Sequence, residues 1–333
     1  MVQRKTSGKK TAALEAVFGA ILLLEFVWVS YGFYYDVTHD EKAVMGGKIN
    51  SPQLFGLCGA FVIVCVFGIK AGVKAAFGLL SRTLLSSSFL PKAQRHPLRS
   101  PIQMKKFQDQ AWQFAIHASM SYFAYRLVSR TNWWHDPASA YQPCPQDYEP
   151  SDEMILFYTL QLAIWSWTAL SCYFLEERRK DYLEMMIHHV VTIALVTTSR
   201  HQGNFSTGTL VLLVHDGSDI VLDLMKMANY LKLEGLRCGF AVEALFVANT
   251  YISWPFLRLY YFPFIIVYKG WLEGFTSNCT LTSNHTFIAS GFLALTILHV
   301  FWFGLLQRLA FKVLFSGKKP QEAGEEEYEG KED

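Results

Sequence analysis

Apolar and polar positions come in long blocks along this chain, not in the alternation of a half-buried strand. Apolar runs occupy Ala12–Tyr35, Leu54–Ile69, Ala111–Val128, Met154–Leu175, Met185–Ser199, Phe205–Met225, Gly239–Val267 and Phe287–Phe315. Several approach the ~20 residues that carry a helix across a bilayer. The pattern predicts an all-α polytopic membrane protein with about eight transmembrane helices. Ala111–Val128 is the least apolar, because Gln113 and His117 interrupt it. Met185–Ser199 and Phe205–Met225 are short for a straight crossing, so thinning or a polar cavity is expected beside them. Pro255 and Pro263 are expected to kink the seventh run and open space between helices.

The stretches between the runs set the expected orientation. The most basic lies over Ser81–Lys106 and is placed in the cytosol by the positive-inside rule. Residues 1–10 are basic as well, and the run after them is longer than a signal-peptide core and lacks a small-residue cleavage pattern. It is read as an uncleaved first span. Thr131–Asp152 is rich in proline, tryptophan and acid, which fits the lumen. Tyr268–His285, on the same side, carries two glycosylation patterns, at Asn278 and Asn284. The division expected is therefore residues 1–10, a basic cytosolic terminus; 11–106, two spans and a basic loop; 107–315, the main membrane domain; and 316–333, an acidic, disordered cytosolic tail.

Composition agrees with a lipid-embedded fold. Hydrophobic residues make up 51% of the chain and charged residues 17%, against about 25% charged in soluble domains. The formal net charge of +2 gives no case for nucleic-acid binding. Six cysteines show no CxxC pair or zinc spacing. Cys144 and Cys279 fall in loops on the same expected side, but nothing else in the sequence joins them.

Candidate chemistry concentrates between Arg178 and Tyr230. His188 and His189 stand in one apolar run; His215, Asp216, Asp219 and Asp223 stand in the next. Ionisable groups at membrane depth are expensive, and function is the usual reason for them. Positions three, four and seven apart share a helix face, so Asp216, Asp219 and Asp223 form one acidic stripe. His215 borders it, and Lys226 extends it by a turn and is expected to pair with Asp223. His188 and His189 lie about 100° apart around their helix, so at most one should face a given target squarely. A histidine against a carboxylate in a dry cavity would be an activated base or nucleophile.

This stretch resembles the signature motif of the ceramide synthases, within the TLC-domain family of membrane proteins. The residues that carry the resemblance are Arg179, Lys180, Asp181, His188, His189, His215, Asp216, Asp219, Lys226, Met227, Asn229 and Tyr230. It extends upstream to Tyr158–Trp165 and downstream to Arg258, Leu259, Pro263 and Phe264, covering roughly residues 110–312. The resemblance implies six helices arranged as a barrel around a buried His/Asp site, in the endoplasmic reticulum membrane with both termini cytosolic. It implies transfer of a fatty acyl group from acyl-CoA to the amine of a sphingoid base (sphinganine, sphingosine or phytosphingosine). A homo- or heterodimer and contacts with membrane lipids are compatible with it. Acyl length in the family depends partly on the loop before the last span, here Tyr268–His285.

Thioester to amide is downhill, so this reaction calls for no metal or redox cofactor. It calls for a base near neutral pH and for exclusion of water, which histidine and buried carboxylates suit. His188, His189, His215, Asp216 and Asp219 are the catalytic candidates, and His188 or His189 would form an acyl-imidazole or act as general base. Arg179, Lys180, Asp181, Asp223, Lys226, Asn229, Tyr230, Tyr158, Trp165 and Arg258 are the substrate-binding candidates. For Arg179, Lys180 and Asp181 a topology signal is an equal alternative, and for Arg258 a structural ion pair is. Tyr158, Gln161 and Trp165 also suit plain packing, and His117 and His299 read as packing groups. Zinc or iron is the chemical rival, disfavoured by the lack of any His-x-x-His cluster. The rival of another class is a non-catalytic TLC-domain protein of lipid trafficking or membrane composition.

Overall fold

The structure is a computed structural model. It describes residues 68–86, 101–174, 181–231, 233, 241–279 and 285–315, together with residues 20 and 64. The first predicted span, most of the second, the charged tail, Arg179, Lys180 and Asn284 lie outside these residues. Among the described residues the regular elements are all helical. Two helices, Asp152–Phe174 and Thr286–Lys312, are long and apolar enough to cross a membrane. The chain falls into two compact units, each described by itself.

The smaller unit holds α3 (Asp152–Phe174) and α4 (Tyr182–His201). The Ser151 hydroxyl accepts the Met154 N–H at 3.3 Å and caps the start of α3. The two helices run antiparallel, since Tyr158 meets Ser199 while Trp165 meets His188 and His189. α4 spans twenty residues, about 30 Å of rise. It is therefore longer than the apolar run Met185–Ser199, because Tyr182–Glu184, Arg200 and His201 continue the helix. A turn at Gly203, with φ of 74°, ends the unit; glycine takes this left-handed conformation without steric cost.

The larger unit is built on α1 (Lys70–Ser86), α2 (Pro101–Val128), α5 (Phe205–Tyr230), α6 (Ala241–Val247), a π-helix (Ala248–Phe275) with a closing turn (Thr276–Asn278), and α7 (His285–Phe315). The basic stretch Ser81–Lys106 is not all loop, since α1 runs on to Ser86 and α2 starts at Pro101. Lys74 of α1 pairs with Asp109 of α2 at 2.6 Å. Packing explains both extensions. Phe77 meets Phe114 edge-on, and a Cβ on Gly78 would come within 2.6 Å of the Gln108 amide.

α2 and α5 are antiparallel partners. Phe107, Ala111, Met227 and Leu231 form a buried cluster, with Phe77, Met104, Phe114, Tyr230 and Leu233 against it. Positions 107, 111, 114 and 117 share one face of α2, and 223 and 227 share one of α5. α5 runs five residues past the predicted span, to Tyr230, because this face stays apolar beyond the acidic stripe.

The π-helix continues α6 without a break and passes through Pro255 and Pro263. Proline has no N–H to give to an α-helical ladder, and here the chain winds more widely around both. The helix continues to Phe275, so the stretch from Tyr268 is not the loop expected. Contact with residues 131–148 explains this: a Cβ on Gly274 would meet the Ala138 Cα at 2.8 Å, and one on Gly270 would meet the Pro137 Cβ at 3.0 Å. Trp134 stacks on Tyr261 at 4.2 Å and its carbonyl accepts the Tyr261 hydroxyl; Tyr141 meets Phe275 edge-on. A disulfide joins Cys144 to Cys279 across 135 residues. Tyr148 stacks on Phe205, and burial raises its phenol above the ordinary range, opposed by a hydrogen bond with Ser206. α7 turns Leu293, Ile297 and Val300 outward, an i, i+4, i+7 apolar stripe of the kind that faces lipid.

Closing so long a loop restricts the unfolded chain, and losing such a bond typically costs about 2–5 kcal/mol. Cys144→Ser is expected to lower the melting temperature of detergent-solubilised protein, and reductant to lower that of the original chain to the same level. Melting followed by intrinsic fluorescence checks this; an unchanged midpoint would show that the bond adds no stability.

Candidate active site

On α4 the Asp181 carbonyl accepts the Met185 N–H at 2.9 Å and starts the helix. The Asp181 side chain is half-buried. About two turns further on, His188 and His189 are both buried. Both imidazoles lie against the Trp165 indole, with ring centroids 5.5 and 5.9 Å away, and 5.7 Å from each other. Both rings thus meet one indole, His188 edge-on and His189 tilted. Gln161, one turn before Trp165, is fully buried, and the Tyr158 hydroxyl lies 3.0 Å from Ser199 Oγ. Among the described residues the Nδ1 of His189 has no hydrogen-bond partner.

In the larger unit the centre is Arg258, on the π-helix and only 2% exposed. Its Nε donates to Ser218 Oγ at 2.6 Å; its Nη2 donates to Asp219 Oδ1 at 2.6 Å and to the His215 carbonyl at 3.1 Å. Nη1 lies 3.2 Å from Nε2 of His299, and the guanidinium carbon sits 4.8 Å from the Trp254 ring centroid. The Trp254 indole N–H in turn donates to the His299 carbonyl at 3.2 Å. Five fixed donors and a cationic plane are thus met by four acceptors and an aromatic face.

Donor counting assigns the tautomers. Arginine only donates, so His299 Nε2 accepts and the His299 proton sits on Nδ1. His215 Nδ1 lies 2.6 Å from the Val211 carbonyl, an acceptor, so Nδ1 carries a proton. His215 Nε2 lies 3.0 Å from His299 Nε2, so the two rings meet at the Arg258 cluster. His299, which the sequence suggested as a packing group, thus makes polar contacts with His215 and Arg258. A single histidine in the apolar sequence LTILHVFWF was the available signal for it.

A second cluster joins α2 to α5. Asp223 Oδ1 accepts the Gln110 amide at 2.6 Å, and its Oδ2 lies 2.7 Å from His117 Nδ1. The direct partners of Asp223 thus include Gln110 and His117, the latter suggested by the sequence only as packing. Asp216 is buried on the same stripe. Lys226 and Asn229 are half-buried further along α5, and Tyr230 packs against the Phe107 cluster. Among the described residues no three His, Cys, Asp or Glu side chains converge as metal ligands. Asn278 closes the π-helix, its Nδ2 donating to the Gly274 carbonyl at 2.6 Å.

A family model described as the TLC domain matches residues 106–308. The ASC1-like protein 3 of Oryza sativa subsp. japonica is 29% identical over 214 residues, 63% of this chain and 72% of that protein. Ceramide synthase 1 of Homo sapiens is 30% identical over 254 residues, 72% of this chain and 71% of that protein. Human ceramide synthase 5 is 30% identical over 220 residues, 66% of this chain and 53% of that protein, so the match spans about half its length.

Removing one partner of a buried ion pair costs about 3–5 kcal/mol, since the other charge stays buried. Arg258→Met is expected to destabilise the protein by that order, and adding Asp219→Asn in the same chain to recover part of the loss. A double-mutant cycle read by thermal melting measures the coupling; strictly additive losses would mean that the pair is not coupled.

Proposed function

The chain belongs to the TLC-domain family, in company with the ceramide synthases, and we propose that His188 and His189 carry a histidine-based acyl transfer within it. The protein is an acyltransferase of sphingolipid biosynthesis, moving a fatty acyl group from acyl-CoA to the amine of a sphingoid base. The observation that carries the mechanistic reading is the burial of His188 and His189 side by side on Trp165, 7% and 2% exposed. A nucleophile shielded from water meets an acyl donor without hydrolytic competition.

One of the two imidazoles attacks the thioester carbonyl, and CoA leaves as the thiolate. The substrate amine then attacks the acyl-imidazole carbonyl, forms the amide and releases the imidazole. We assign proton movement to His215, Asp216 and Asp219 from the motif alone. Arg179, Lys180 and Asp181 suit the phosphates of CoA, and Lys226, Asn229 and Tyr230 are further candidates for holding substrate. Every step uses the chain's own side chains, and none requires a metal or redox cofactor.

The reading extends to topology. It comprises eight spans, six of them around the motif within residues 107–315, in the endoplasmic reticulum membrane with cytosolic termini. The Cys144–Cys279 bond supports a lumenal side for both loops, because disulfides persist in oxidising compartments. Of the two glycosylation patterns, Asn284 is favoured, since the Asn278 amide is engaged at the helix end.

Intact-mass measurement of purified protein with acyl-CoA alone tests the covalent step. One acyl mass should be added, be abolished by either His188→Ala or His189→Ala, and be discharged to ceramide by a sphingoid base. Ceramide without an adduct would make histidine a general base; neither product from folded protein would leave a non-catalytic lipid-handling role.

A further inference from the structure

We propose that closure of the Cys144–Cys279 bond withholds Asn278 from glycosylation, so that this asparagine accepts an oligosaccharide only on chains whose two thiols are still free. This rests on the lumenal placement of both loops given above and makes one modification depend on another. Three observations carry it.

The two modifications overlap in sequence. The acceptor pattern is Asn278-Cys279-Thr280, and its middle residue is the cysteine that the bond takes. The Cα atoms of Cys144 and Cys279 stand 5.7 Å apart, and Cys144 Sγ lies 3.2 Å from the Asn278 carbonyl oxygen. A disulfide holds its two Cα atoms within about 7 Å. The acceptor triplet therefore cannot move away from Cys144 while the bond is closed.

The Asn278 amide is engaged at both ends. Its Nδ2 donates to the Gly274 carbonyl at 2.6 Å, and its Oδ1 accepts the Gln142 amide at 3.3 Å. The next residue, Cys279, donates its N–H to the Phe275 carbonyl at 2.8 Å. Asn278 is exposed, so its obstacle to a transferase is attachment and not burial. Transfer requires the amide nitrogen to be lifted clear and set in line with the sugar carbon of the donor.

The partner side of the bond is firmly anchored. Tyr141 and Phe275 are both fully buried and meet edge-on, and Gly274 is so close to Ala138 that a Cβ would come within 2.8 Å of its Cα. Beyond Phe275, by contrast, only single hydrogen bonds and the disulfide hold the turn. Hydrogen bonds at a helix end open readily. The disulfide does not, and it is the element that keeps the triplet down.

Both reactions balance. In oxidation the two thiols give two electrons and two protons to a disulfide-bearing oxidant, which becomes a dithiol. In glycosylation Asn278 Nδ2 bonds to the anomeric carbon of a lipid-linked oligosaccharide. The bond from that carbon to the lipid phosphate breaks, and Nδ2 loses one proton. Asn284 lies outside the tethered triplet, so the bond does not withhold it.

The test is synthesis of the full chain in glycosylating microsomes. An Asn284→Gln background isolates Asn278, and a one-glycan gel shift removed by an endoglycosidase is the readout. The shift should be faint without reductant. It should mark the main band with dithiothreitol or in Cys144→Ser, and Asn278→Gln should abolish it. Arg258→Met weakens the same unit but leaves both cysteines, so it should stay unshifted. Equal shifts with and without reductant would overturn the proposal. So would a shifted Arg258→Met chain whose bond is closed by thiol tagging, since unfolding would then be the cause. Should no variant shift, a membrane-impermeant maleimide on the reduced chain separates two failures, through labelling that Cys279→Ser removes. A Cys279 shielded in sealed microsomes would overturn this proposal alone; one that labels there would remove the lumenal placement, and this proposal with it.

Discussion

The buried guanidinium of Arg258 is the constraint on which the larger unit depends. A charge taken out of water and away from a partner costs several kcal/mol, and this one is satisfied by three helices at once. Ser218, Asp219 and the His215 carbonyl come from α5, His299 from α7, and Trp254 from the π-helix itself. The fork has fixed geometry, so each helix is held in axial position and rotation. Apolar faces alone tolerate sliding; a five-donor fork does not.

One stripe of three aspartates is thereby divided into different environments. Asp219 faces arginine, Asp223 faces histidine and glutamine, and Asp216 is buried beside them. Titratable groups of one type set in unlike surroundings are how a fold separates structural from chemical duties. Here the ion pair with Arg258 secures the α5 backbone, and the carboxylate one turn later joins α5 to α2 through His117 and Gln110.

Much of this was legible in the sequence for a definite reason. The i, i+3, i+4 and i+7 spacings on one helix are local, so the acidic stripe and the histidine pair could be read directly. Their partners could not. Gln110, His117 and His299 come from helices 80 or more residues away, and each is a solitary polar position with no periodicity to reveal its target. Helix ends were misread where charge and burial disagree: Pro101–Gln110 looks like a basic loop, yet Phe107 and Gln110 are buried. The wide winding of residues 248–275 has no signature beyond Pro255 and Pro263, which announce a departure from α-geometry without saying which one.

The Cys144–Cys279 bond has a bearing on biogenesis. Its two thiols are separated by 135 residues that include α3, α4, α5 and the π-helix. The ribosome must synthesise all of them before the second thiol exists, and Phe275 and Tyr141 must already pack together for the two sulfurs to meet. Oxidation of this pair therefore works as a late checkpoint: a chain that carries the bond has been synthesised through the π-helix and has brought its end against residues 137–148.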